Sequence, residues 1–161
     1  MGRLRTLSVF RKRAGTSPRE GVMQQATRQA EAGRRLAIYE LGSGFLAPWY
    51  MRLRVSEECA RARRYGRPLS VIVIEPAAGD QGDALKRWLQ QGLRGTDLVC
   101  HTLEGQYIAL LTETDGPGAA EVMKRILGAA RVVSIHSASF LTDQTRFMGL
   151  VAGLDRTWAA A

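Results

Sequence analysis

The most constraining stretch of the chain is LRGTDLVCHTLEGQYIALL, residues 93–111. Leu98-Val99-Cys100 and the run from Tyr107 to Leu111 are two short apolar segments rich in strand formers. The polar, glycine-containing residues between them suit a hairpin whose exposed tip covers 103–106. An antiparallel pair in mid-chain does not fit a doubly wound parallel sheet. Just before the first strand stands Arg94-Gly95-Thr96-Asp97, a guanidinium and a carboxylate three apart on a turn. Such a pair can hold a planar ligand with donor and acceptor edges, or its members can bond to each other.

The segments on either side fix the layer type. Residues 69–74, LSVIVI, lie between Pro68 and Pro76 and are apolar apart from Ser70, as in a central strand buried on both faces. Before them, Pro48 opens a helix with Met51, Val55, Cys59 and Ala62 on one face. Arg54–Glu58 and Glu57–Arg61 read as i,i+4 charge pairs on its other side. Gly66 and Pro68 stop it. After the strand, a small-residue loop leads into a helix over 83–93 that turns Leu85, Trp88 and Leu89 to one face. Beyond the hairpin, a helix directs Val122, Met123, Ile126 and Leu127 inward, residues 131–140 read as a strand, and residues 142–158 form a last helix with Phe147, Leu150, Val151 and Leu154 on one side. The order α, β, α, β, β, α, β, α predicts an α+β fold in which helices back an antiparallel sheet.

Charge and composition bound the rest. A chain of 161 residues favours one domain plus an extension. Arg3, Arg5, Arg11, Lys12, Arg13 and Arg19 face Glu20 alone in the first twenty residues, so most of the net +8 lies there. This predicts a basic flexible arm over 1–17, able to make weak contact with an anionic surface, lipid or nucleic acid. Ser17, Pro18 and Glu20 then start a linker helix over 18–39, and the domain proper covers 40–161. No apolar run approaches the roughly 18–20 residues that span a bilayer. Cys59 and Cys100 are the only cysteines and His101 and His136 the only histidines, which suits buried thiols in a reducing cytoplasm and leaves little for a metal cluster. Cys100, mid-strand, reads as a small core residue.

From Glu40 onward the chain resembles the GGDEF domain, the bacterial diguanylate cyclase fold. Glu40-Leu41-Gly42-Ser43-Gly44-Phe45 stands where that family has DxLTGL. ECARARRYGRPLSVIVIE follows its helix and first strand, RGTDLVCHTLEGQYIALLTETDGPGAAEVMKRI its hairpin and next helix, VSIHSASF its SIG strand, and Leu154-Asp155-Arg156-Thr157-Trp158 its final AD-x-A-L-Y helix. The resemblance implies a nucleotidyl-cyclase, palm-like antiparallel sheet with a βαββαβ core flanked by helices and carrying an N-terminal helical extension.

The departures bear on chemistry. The tip that reads GGDEF in the family reads Leu103-Glu104-Gly105-Gln106-Tyr107 here. Leu103 and Glu104 replace the paired glycines whose bare backbone admits substrate phosphates. Gly105 stands at the metal-binding acidic position, and Glu75 alone matches the family's strand-one ligand. One carboxylate cannot organise a two-metal site for phosphoryl transfer. The family's guanine-reading asparagine falls on Ala47. Arg94-x-x-Asp97 keeps the spacing of the family's RxxD inhibitory site, which implies cyclic di-GMP binding at Arg94 and Asp97, with Arg64 or Arg67 available to complete it. The expectation is a catalytically inactive signalling domain, with no catalytic residue, metal or cofactor, that binds cyclic di-GMP. Its rivals are an interaction or dimerisation module with no nucleotide ligand, partnered by another signalling protein or itself; a residual diguanylate cyclase; and a membrane- or nucleic-acid-associated adaptor.

Overall fold

A computed structural model describes residues 37–40 and 42–154, with the backbone alone at 80 and 81. The first helix, α1, is Pro48–Tyr65. Proline in its first turn has no N–H to leave unbonded, and Gly66, at φ 63°, takes the left-handed cap that ends it. Pro68 then forces extension into β1, Leu69–Pro76. The remaining elements are α2 (Asp80–Gly92), β2 (Leu98–His101), β3 (Tyr107–Thr112), α3 (Gly116–Ala129), β4 (Val132–Ser139) and α4 (Gln144–Val151). Asp115 and Asp143 cap α3 and α4, accepting from the Gly118 and Arg146 amides at 2.8 and 3.0 Å.

The strands form one sheet in the order β2-β3-β1-β4, and every pairing is antiparallel. Val71 lies opposite Leu110 on one side and Ala138 on the other, and Val73 opposite Ile108 and His136. Alternation sends these residues to one face and Ile72 and Ile74 to the other. On the first face Val71, Val73, Ile108 and Leu110 pack with Met51, Val55 and Cys59 of α1 and Phe147 and Val151 of α4. On the second, Ile72, Ile74, Ala109 and Leu111 pack with Leu85 and Leu89 of α2 and Ala119 and Ile126 of α3. Two covered faces explain why β1 shows a continuous apolar run. Its exception, Ser70, is fully buried and satisfied: its hydroxyl donates to Thr114 O at 2.8 Å and lies 2.7 Å from Ser139 Oγ.

The α+β sheet expected from the sequence is thus present, with several local corrections. Residues 37–40 are not helical and Tyr39 bridges Leu46, so 37–39 are not part of the helix expected over 18–39. The rest of that helix and the arm over 1–17 lie outside the described residues. The helix expected from 83 begins at Asp80, after a Gly79 turn. Glu58 is buried, not on the outer side of α1; Arg54 reaches it at 2.9 Å and Arg61 at 3.6 Å, while Glu57 pairs with Arg54 in place of Arg61. Leu127 is 53% exposed, because α3 turns Ala119 and Ile126 to the sheet. The last helix covers Gln144–Val151 within the predicted 142–158, of which 155–158 lie outside the described residues.

Phe147 is fully buried and meets Phe140 edge-on at 5.3 Å. Phe147→Ala should lower the unfolding free energy by about 3–5 kcal/mol, whereas Leu127→Ala should stay within about 0.5 kcal/mol. Urea denaturation of both variants checks this; equal losses would contradict the assigned facing of α3.

Candidate ligand site and the hairpin tip

Turn chemistry fixes the hairpin. β2 and β3 close at the His101–Tyr107 pair. Beyond it the Thr102 amide donates to Gln106 O at 2.8 Å, and Thr102 Oγ1 accepts from the Gln106 amide at 3.1 Å. Gly105 sits at φ 85°, where a side chain would be strained, and its amide donates to Thr102 O at 3.0 Å. Leu103, 75% exposed, and Glu104 occupy the turn itself. Tyr107 is already the first residue of β3; it is buried, with its ring 4.6 Å from His101 and edge-on to Phe45 at 5.6 Å.

Glu75 ends the exposed part of β1 opposite Ser134 and accepts from its hydroxyl at 3.1 Å. Among the described residues, no three His, Cys, Asp or Glu side chains converge as a metal site would require. Ala47 is buried and its amide donates to Ile38 O at 2.8 Å, so this position offers backbone packing and no base-reading side chain. Burial pushes the Cys59 thiol up to about 11 and the Cys100 thiol up to about 12, which keeps both protonated and unreactive at neutral pH.

The sequence did not disclose how the N-terminal motif joins the hairpin. Ser43 Oγ donates to Glu40 Oε2 at 2.7 Å, and His101 Nδ1 stands 3.8 Å from Glu40 Oε1. The Gln90 side-chain amide donates to Ser43 O at 2.6 Å, and the Leu46 amide to Val99 O at 2.7 Å. These contacts join residues far apart in the chain. The only local signal was the Glu40…Ser43 spacing.

The RGTD turn is held by backbone bonds. The Asp97 amide donates to Arg94 O at 3.0 Å, and Asp97 Oδ2 accepts from the Arg94 amide at 3.0 Å. Thr112 Oγ1 donates to Thr96 O at 3.3 Å and ties the turn to β3. Of the two arrangements open to this pair, the side-chain bridge is not the one adopted: the carboxylate bonds the Arg94 backbone, and the exposed Arg94 guanidinium makes no ion pair with it. Asp97 Oδ1 is buried and makes no full-length hydrogen bond, although the Thr112 backbone N–H also acts on the carboxylate. Burial raises the Asp97 carboxyl above its usual range, opposed by the Arg94 and Thr112 backbone amides and by the Arg94 charge.

Beside this turn lies a cleft of about 340 Å³, lined by Gly95 and Thr96, by Arg61 and Arg67, and by Glu58 and Glu113. Arg67 is ion-paired to Glu113. Arg64 stacks over Tyr65 at 5.3 Å and is not part of the lining. Of the two arginines considered from sequence, the structure brings Arg67 to the turn.

A four-stranded antiparallel sheet of order β2-β3-β1-β4 between two helix layers, with a motif-bearing β2–β3 hairpin, defines the palm-like class of nucleotidyl-cyclase folds. Within that class the fold is GGDEF-like. The GGDEF-family sensory box protein of Caulobacter crescentus superposes with a TM-score of 0.58, at 18% identity over 78% of this chain and 97% of its own. The coiled coil and GGDEF domain of DgcB from the same organism, solved with cyclic di-GMP, gives 0.54 at 10% identity, covering 84% of this chain and 90% of that one. The diguanylate cyclase SiaD of Pseudomonas aeruginosa, solved with its activator SiaC, gives 0.53 at 16% identity over 84% of this chain; the chain spans 65% of SiaD. At these identities the likeness is one of fold. Neither a family model nor a curated protein sequence matches the chain.

The raised Asp97 carboxyl has a thermodynamic sign. A group whose folded pKa lies above its unfolded value contributes stability at low pH and loses it as pH rises through the folded pKa, so ionised Asp97 destabilises the fold at neutral pH. Asp97→Asn keeps an acceptor for the Arg94 amide. Its unfolding free energy at pH 7 should equal or exceed that of the parent, and the gap should close toward about pH 4, where carboxyls protonate. Chemical denaturation at the two pH values measures it; a clear loss of stability at pH 7 would contradict the assignment.

Proposed function

We propose that this domain is a non-catalytic signalling receptor for cyclic di-GMP, bound at Arg94 and Asp97. The observation that carries the reading is the exposed Arg94 guanidinium beside the half-buried Asp97 carboxylate, on a turn whose backbone is already bonded. A carboxylate so placed accepts from the N–H donors of guanine. The guanidinium stacks on the base or donates to its O6 and N7 or to phosphate. Arg67 lines the same cleft as Thr96 and would add a second cation by exchanging Glu113 for a phosphodiester. That DgcB was solved with cyclic di-GMP supports the ligand class for this fold.

Loss of catalysis rests on the tip and on β1. Leu103 and Glu104 bring bulk and negative charge where a triphosphate would approach. Glu75 is the one carboxylate at the strand-one position, and it is bonded to Ser134. Phosphoryl transfer depends almost wholly on positioning and charge neutralisation, and neither is provided here.

Calorimetry with cyclic di-GMP should show saturable binding. Arg94→Ala and Asp97→Asn should each weaken it by about tenfold or more, about 1.4 kcal/mol. Affinity should fall as pH is lowered through the raised Asp97 pKa, because the ligand's donors need the ionised carboxylate. No heat from folded protein would overturn the receptor reading. Incubation with GTP and Mg²⁺ should give no cyclic di-GMP, and product formation would overturn the loss of catalysis.

A further inference from the structure

A second concave surface lies on the helix layer formed by α1 and α4. It encloses about 700 Å³, within the range of built binding sites. Val55, Cys59, Phe140 and Val151 make a buried apolar floor. Leu53 and Met148 form part of its walls and remain 47% and 46% exposed, although each is a large apolar side chain. Trp49, also in the wall, is fixed by its indole N–H donating to Ala37 O at 3.2 Å and by an edge contact with Tyr50 at 5.5 Å. The groove therefore has a rigid aromatic side and an adaptable methionine side.

Among the described residues its charge is one-sided. The lining among the described residues holds two guanidinium groups, Arg52 and Arg63, and no carboxylate. The Arg63 guanidinium lies over the Phe140 ring at 5.1 Å, a stacking that leaves its N–H edge able to meet an anion. α1 carries five arginines against Glu57 and Glu58, and both glutamates are engaged with Arg54 and Arg61, away from this groove.

We propose that the α1–α4 groove is a docking site for an acidic amphipathic helix of a partner protein. The apolar floor takes side chains spaced i, i+3, i+4 and i+7 from one helix face, and Arg63 meets a carboxylate flanking them. The chemistry selects this occupant over two others. A second copy presenting the same face would set guanidinium against guanidinium on a chain that already carries +8. A lipid surface is flat and leaves a concave floor unfilled. The proposal does not depend on the nucleotide reading, since no residue is shared between this groove and the RGTD turn or its cleft.

The test uses the full chain and two labelled synthetic peptides of about 16 residues, long enough for four helical turns. Both carry leucine at i, i+3, i+4 and i+7; one is flanked by glutamate and the other by lysine. By fluorescence anisotropy the glutamate peptide should bind at least about tenfold more tightly than the lysine peptide, and added salt should narrow the difference. Leu53→Glu should weaken the glutamate peptide about tenfold or more. Arg63→Glu should weaken it and strengthen the lysine peptide, a charge swap that simple unfolding cannot mimic. Both substitutions are at exposed positions, and thermal melts check that the fold is kept. Equal binding of the two peptides, or affinity indifferent to Leu53→Glu and Arg63→Glu, would overturn the proposal. So would sedimentation with phosphatidylglycerol vesicles, or a concentration-dependent dimer by light scattering, abolished by Leu53→Glu when the glutamate peptide does not bind.

Discussion

Everything in this domain depends on β1 being enclosed on four sides. It pairs with β3 and β4 at its edges and is covered on each face by two helices. Each of its residues from 69 to 74 therefore leaves water, and its backbone is bonded on both sides. This one strand sets the register of the hairpin, since Ile74 opposite Tyr107 and Leu69 opposite Thr112 fix where β3 starts and stops. It also places the RGTD turn: Thr96 is tied to Thr112 at the end of β3, which pairs with the start of β1.

The same arrangement separates the residues that hold the fold from those that the hairpin tip presents. The hairpin's contribution to folding comes from Val99, Cys100 and Ile108 to Leu111, all buried in the two layers. The tip residues Leu103 and Glu104 are exposed and contribute no core contact. Only Gly105, at its positive φ, is required by the turn. Substitutions at Leu103 and Glu104 are therefore nearly independent of stability.

How far the sequence could be read follows from the range of the interactions involved. The strands and the inward faces of α1 and α2 were legible because burial imposes a period on neighbouring residues: Met51, Val55, Cys59 and Ala62, or Leu85 and Leu89. Leu127 misled because a residue beside the buried stripe of α3, which is Ala119 and Ile126, satisfies the same period while remaining exposed. Glu58 was hidden for the opposite reason: a carboxylate on an apolar face reads as an error in the pattern until two arginines one turn to either side are seen to neutralise it. At the site, the spacing of Arg94 and Asp97 was legible, but not that the carboxylate bonds the backbone and leaves the guanidinium outside. The Glu40–His101 contact and the α1–α4 groove depend on which elements become neighbours across the sheet, and local periodicity carries no record of that.

Several local costs meet at the corner where the end of α1 approaches β3. Burial of the Asp97 carboxyl disfavours its charged form, offset in part by the Arg94 and Thr112 backbone. Glu113 holds a positive φ of 50°, disfavoured for any residue with a Cβ, and is ion-paired to Arg67. Glu58 buries a charge that only its two arginines compensate. Thr96, Arg61 and Arg67 join Glu58 and Glu113 around one cleft, and Asp97 is the next residue along the turn. A fold stabilised mainly by the apolar layers around β1 tolerates such costs, but packing alone supplies no reason for them to gather in one place. The ion pairs of Glu58 with Arg54 and Arg61, and of Glu113 with Arg67, offset part of these costs, and the last of them ties the end of α1 to the turn after β3.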